Sequence, residues 1–198
     1  MRDKIEVMPT SQQLEDELSR MRYRRRYRSV LRSTVYTLIT VAAIAVLVAT
    51  LLMPVLRIYG SSMSPTLSDK DIVLCVKKGS FKSGDVVAFY YNNKILVKRV
   101  IAQSGEWISI TPEGDVYVGS DSQNMHLLDE PYLQEKALGD CNIEFPYQVP
   151  ESRIFVMGDH RSVSVDSRNT AVGCVAEEQL VGKLTFRVWP LELFGPVN

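Results

Sequence analysis

Hydrophobic and polar positions divide the chain into three stretches with different periods. From Ser33 to Leu56 the sequence STVYTLITVAAIAVLVATLLMPVL carries no charged side chain. At about 1.5 Å rise per residue such a run exceeds the ~30 Å of a bilayer core and predicts one transmembrane helix. Thr37, Thr40 and Thr50 can bond back to helix carbonyls, and Pro54 stands near the far end, where a helix can stop. Before this run, residues 10–20 predict a short helix capped by Thr10 or Ser11. After it, alternating or β-branched runs recur between turn formers: residues 71–78, 84–91, 94–102, 106–110, 115–119, 153–157 and 181–188. Lys78-Gly79-Ser80, Asn92-Asn93, Thr111–Gly114 and Gly158-Asp159 separate them. Residues 120–150 read as a long irregular excursion. The pattern predicts a mainly β, antiparallel sheet or barrel-like ectodomain behind one transmembrane helix.

Charge sets the orientation expected for that helix. The formal net charge is zero, yet residues 1–32 hold nine Lys/Arg against five acids. Seven arginines lie within residues 20–32 and only Arg57 closely marks the other end. This bias places residues 1–32 in the cytoplasm, 33–56 in the membrane and 57–198 outside. The arginine run beside Tyr23 and Tyr27 fits lipid headgroups better than nucleic acid. A cleaved secretory signal fits poorly, because the apolar run is too long and MPVLRIYG after it has no small-x-small site.

Cys75, Cys141 and Cys174 form no C-x-x-C pair, and His126 and His160 are the two histidines, which disfavours zinc. A Cys141–Cys174 disulfide is compatible with an extracytoplasmic location, and three small buried thiols are an equal alternative. No metal and no organic cofactor is implied, and the oligomeric state is unreadable.

Three segments carry candidate chemistry. Tyr59–Leu67 contains Gly60-Ser61-Ser62-Met63-Ser64-Pro65-Thr66 directly after the span. Leu96–Ile101 places Lys98 and Arg99 side by side in an apolar strand. A lysine buried there loses basicity and can serve as a base, one that snorkels to solvent or pairs with an acid does not, and an arginine stays protonated. Gly158–Arg168 packs two acids, two arginines and three serines after another apolar strand, a composition suited to a polar network that orients a buried base.

GSSMSPTL, VKRVI and GDHRSVSVDSR, in this order after one span, resemble bacterial type I signal peptidases over roughly residues 35–198. The resemblance implies Ser62 as nucleophile, Lys98 as general base and the Ser62 N–H as oxyanion donor. It implies Ser164 as the serine that orients Lys98, with Asp159, Asp166, Arg168 and Arg99 in support. The substrates it implies are signal-peptide-bearing preproteins with small residues first and third before the cut. The chain departs from the family pattern at His160, Ser162 and Val163, and at Gly60, where some members carry a serine that aids the oxyanion hole. A Ser62/His160/Asp159 triad and a non-catalytic, membrane-tethered β module are the rival readings. A self-cleaving Ser/Lys regulator would lack a span.

Overall fold

The computed structural model describes residues 10–77 and 80–197, and the chain forms two compact units, Met1–Ala49 and Thr50–Asn198. One continuous helix, α1 (Ser11–Leu52), spans most of the first unit. The helix expected at residues 10–20 is its first turns, and it continues through the arginines because no Gly or Pro interrupts Thr10–Met53. Its described side chains are exposed almost throughout, including Leu38, Ile39 and Val46. Thr34, Thr37 and Thr40 donate to the carbonyls of Val30, Ser33 and Tyr36 at 3.0, 2.9 and 2.9 Å, so the hydroxyls stay satisfied without water. The helix is long and apolar enough to cross a membrane.

The helix ends at Leu52, short of the expected 56. Pro54 lacks an N–H to continue the ladder, and Val55–Arg57 become strand β1. The other strands of the second unit are β2 (Ile72–Val76), β3 (Val86–Tyr91), β4 (Lys94–Ala102), β5 (Trp107–Ile110), β6 (Val116–Gly119), β7 (His126–Leu127), β8 (Tyr147–Gln148), β9 (Arg153–Met157), β10 (Val175–Ala176), β11 (Leu180–Trp189) and β12 (Gly195–Pro196). One sheet runs β1-β2-β11-β3-β4-β9-β10, with β12 on β11, and a smaller one runs β7-β6-β5-β8. Every recorded pairing is antiparallel.

All seven expected segments contain a strand, while Lys78 and Gly79 of the expected Lys78-Gly79-Ser80 turn lie outside the described residues. Asn92 and Asn93, both at positive φ (42° and 59°), close the β3–β4 hairpin, the backbone shape a two-residue turn requires. Strands β1, β7, β8, β10 and β12 were not expected, and each spans two or three residues, too short to show a period. Residues 120–150 are irregular apart from β7 and β8.

Apolar side chains from both faces of the larger sheet are buried. Met63, Leu67, Val73 and Leu184 form one cluster; Val87, Phe89, Val100 and Val156 form another. The smaller sheet closes over Ile101, Ile108, Phe155 and Met157. Cys75, Cys141 and Cys174 are all free thiols, so the Cys141–Cys174 bridge does not form; Cys174 instead points its Sγ at the Tyr147 hydroxyl, 3.9 Å away.

Candidate active site

Ser62 sits on the loop that leaves β1. Gly60 turns the chain at φ +85°, where a side chain would be strained, and its N–H is held by Asp69 Oδ1 at 3.0 Å. Past the turn, Met63 and Leu67 are buried and the Leu67 N–H bonds the Met63 carbonyl at 2.8 Å, which fixes the loop on the core. The Ser62 carbonyl accepts from the His160 N–H at 3.1 Å. Its own N–H has no acceptor among the described residues, so it is free to donate to a ligand.

Lys98 lies in β4 opposite Val87 and is 3% exposed. The side chain reaches Ser62, with Nζ 2.7 Å from Oγ. Burial lowers its pKa from 10.5 to about 8; the negative charges of Asp166 and Asp159 oppose this, while Arg168 adds to it. Roughly a tenth of such amines are uncharged at pH 7. In the uncharged form the same contact can carry the Ser62 proton to nitrogen.

The surrounding polar groups are closed on one another. Arg99 donates to both oxygens of Asp159 at 2.9 and 2.7 Å and to the Gly84 carbonyl at 2.8 Å. Thr66 donates to the same carboxylate. Arg168 forms a fork with Asp166 at 2.8 Å on each oxygen and donates to the Leu138 and Arg161 carbonyls at 2.6 and 3.0 Å. Asp166 also accepts from the Gly158 N–H at 2.9 Å and the Ser164 hydroxyl at 2.7 Å. Burial acts to raise the Asp166 pKa, but Arg168, Gly158 and Ser164 outweigh it and hold the carboxyl below its usual value.

Ser164 differs from expectation. Its hydroxyl donates to Asp166, and no hydrogen bond joins it to Lys98 among the described residues. Its side chain lies directly against Gly158. A Cβ at Gly158 would overlap Ser164 Oγ and lie 2.5 Å from the Ser62 carbonyl oxygen, so glycine alone permits this approach.

The Ser62/His160/Asp159 triad is not assembled. His160 holds Ser62 through its backbone, its Nδ1 has no partner among the described residues, and Asp159 is committed to Arg99 and Thr66. His126 is exposed on β7.

Four residues in this network were given no role from sequence. Thr66 lay inside the serine-rich segment. Glu130, Tyr132 and Arg161 meet only in the fold: Arg161 donates to both Glu130 oxygens, and the Tyr132 hydroxyl donates to Glu130 Oε1 at 2.7 Å. An isolated acid in an irregular loop has no periodicity that could reveal such a partner.

A cleft of about 690 Å³ opens from Ser62 and Lys98. Its walls are Leu56–Gly60, Met63 and Asn93–Lys98.

Residues 31–189 match the family model described as "Signal peptidase, peptidase S26". The chain belongs to that family. It is 36% identical over 158 residues to signal peptidase IB of Staphylococcus aureus, covering 69% of this chain and 78% of that protein. It is 29% identical over 168 residues to thylakoidal processing peptidase 1, chloroplastic, of Arabidopsis thaliana, covering 76% of this chain and 46% of that one. A signal peptidase I crystal structure from Enterococcus faecalis V583 matches with TM-score 0.42 and 26% identity, over 54% of this chain and 97% of the other. As a member of the signal peptidase family, the chain is a serine endopeptidase.

Proposed function

We propose that this protein is a membrane-anchored endopeptidase that removes N-terminal signal peptides from exported preproteins, with Ser62 as nucleophile and Lys98 as general base. The observation that carries the reading is the 2.7 Å contact between Lys98 Nζ and Ser62 Oγ in a site dry enough to lower the amine pKa to about 8. A non-catalytic tethered module would need neither a buried Lys98 nor its contact with Ser62.

Ser62 Oγ attacks the carbonyl of the scissile peptide bond and Lys98 takes its proton. The Ser62 N–H donates to the developing oxyanion. Protonated Lys98 then gives the proton to the leaving amine, which departs as the mature N-terminus. Water attacks the ester, Lys98 accepts its proton and returns it to Ser62, and the signal peptide is released.

The cleft favours an extended chain. Strand β1 ends its sheet, and over Lys94–Val97 β4 pairs with β3 alone. Alternate residues of an antiparallel strand turn their N–H and C=O to one side. Ile58 bonds Asp71 and Val100 bonds Asp85, so Arg57, Tyr59, Ile95 and Val97 turn theirs toward the cleft. A substrate strand between these edges gains main-chain hydrogen bonds on both sides.

The apolar part of α1 anchors the enzyme in the bilayer, where signal segments reside. The arginines of residues 20–32 hold the N-terminal side in the cytoplasm, and residues from 57 onward lie across the membrane. Confinement to one membrane raises the effective substrate concentration. The test is cleavage of a labelled preprotein by detergent-solubilised protein: Ser62→Ala is expected to leave the precursor uncut, and wild-type turnover by that variant would remove Ser62 from its role.

A further inference from the structure

The long excursion between β6 and β9 contributes two side chains to the network behind the catalytic pair. Glu130 is buried, and its carboxylate takes both hydrogen bonds that the Arg161 fork offers. Arg161 Nε donates to the Gly158 carbonyl at 3.1 Å. Gly158 is the residue whose bare Cα lies against the Ser62 carbonyl and Ser164. Two residues further on, the Tyr132 ring covers the Arg99 guanidinium, 3.8 Å from carbon to ring centroid. Arg99 adjoins Lys98 on β4 and grips Asp159, which also binds Thr66 of the nucleophile loop. Gln134 and Glu135 then border a small cavity of about 70 Å³ together with Ser64 of that loop, Asp159 and His160.

The segment therefore touches the base-bearing strand at one point and the support of the nucleophile at another. Glu130 and Arg161 are both buried, and replacing such a pair by apolar residues of similar volume is often neutral in stability. Its geometry serves placement. Burial and Glu130 push the Tyr132 phenol strongly upward, while Arg161 and Arg99 oppose them, so the ring stays neutral over the guanidinium.

We propose that Glu130 and Tyr132 are positioning residues of the catalytic centre: Tyr132 holds Arg99, and through it the strand carrying Lys98, while Glu130 holds Arg161, and through it Gly158 against Ser62. This rests on the reading of Ser62 and Lys98 as the reacting pair. With Tyr132 removed, Arg99 loses the ring that covers it and the strand it holds shifts, so Lys98 Nζ spends less time in its buried place beside Ser62 and its basicity rises. Asp166, Arg168 and Asp159 are the charges that act on Lys98 itself, and they stay in place.

The experiment is the pH profile of kcat and KM for peptide cleavage by wild type, Tyr132→Leu, Tyr132→Phe and Glu130→Gln, with Ser62→Ala alongside. Tyr132→Leu is expected to lower kcat about ten-fold or more, with little change in KM. It is also expected to move the midpoint of the rise with pH upward by about half a unit. Tyr132→Phe keeps the ring and restores the midpoint; Glu130→Gln lowers kcat with KM little changed and the circular dichroism spectrum unaltered. If Tyr132→Leu does not fold, Tyr132→Met is judged by the same two readouts. An unchanged midpoint, or a kcat loss that Tyr132→Phe shares in full, overturns the assignment of Tyr132, and wild-type kcat in Glu130→Gln overturns that of Glu130. Activity in Ser62→Ala would instead overturn the reading on which the proposal rests.

Discussion

Arg99 closes on Asp159 through two hydrogen bonds, at 2.9 and 2.7 Å, while its neighbour Lys98 has no carboxylate within bonding distance among the described residues. Both side chains are buried, at 2% and 3% exposure. The difference in partners divides the labour. A guanidinium with a matched carboxylate stays charged and structural. An ammonium without one is penalised by its dry surroundings and gives up its proton near pH 8.

The first expected outcome concerns pH. Because only the uncharged amine accepts a proton, kcat/KM should rise about ten-fold per unit below the Lys98 pKa and level off above about 8. Lys98→Arg keeps the positive charge and cannot titrate in this range, so it should be inactive from pH 6 to 10. Initial rates on a fluorogenic peptide over that interval check both statements.

A methyl group at position 158 provides the second. Gly158→Ala places a Cβ where the Ser62 carbonyl and Ser164 already sit. The loop carrying Ser62 must shift, and displacement of this kind costs roughly a hundred-fold in kcat. Steady-state kinetics with circular dichroism separates this from global unfolding; a fully active Gly158→Ala would show that the approach is not constrained.

Asp166 gives a stability test. Its folded-state pKa lies below the ordinary value, so its contribution is present above the unfolded pKa and is lost as pH falls through the folded one. Asp166→Asn leaves Arg168 buried without its counter-ion and should destabilise by about 3 kcal/mol near neutrality, with the difference from wild type shrinking in acid. Urea denaturation at pH 7 and pH 3 measures this directly.

Much of this was legible in the sequence, for physical reasons. The apolar run without charge, the period-two strands and the Asn92-Asn93 hairpin all express local rules, and the structure follows them. Ser62 and Lys98 were singled out by three spaced motifs taken together, because a serine-rich turn or a lysine in an apolar strand is ordinary on its own. The strand at Val55–Arg57 was hidden, because an apolar segment that crosses from helix to strand keeps its composition. The Ser164 hydroxyl goes to Asp166 because a carboxylate two residues away competes with a distant amine, which spacing alone does not reveal. Glu130 and Tyr132 were invisible because their partners, Arg161 and Arg99, lie about 30 residues away on other elements.

The anchor yields a fourth expectation. Removing residues 1–52 eliminates α1 and leaves the unit with Ser62 and Lys98. Cleavage of a short soluble peptide should persist, while cleavage of a preprotein in vesicles should fall by about ten-fold or more, because the shared membrane no longer concentrates enzyme and substrate. Equal losses on both substrates would show that the helix serves folding.

Direct titration of Lys98 tests the central claim most closely. In protein carrying 13Cε-labelled lysine, with Lys98→Arg used to assign the signal, the Lys98 resonance should titrate with a midpoint near 8 that coincides with the rise in kcat/KM. A Lys98 midpoint near the ordinary 10.5, with activity already at its plateau well below it, would contradict the account.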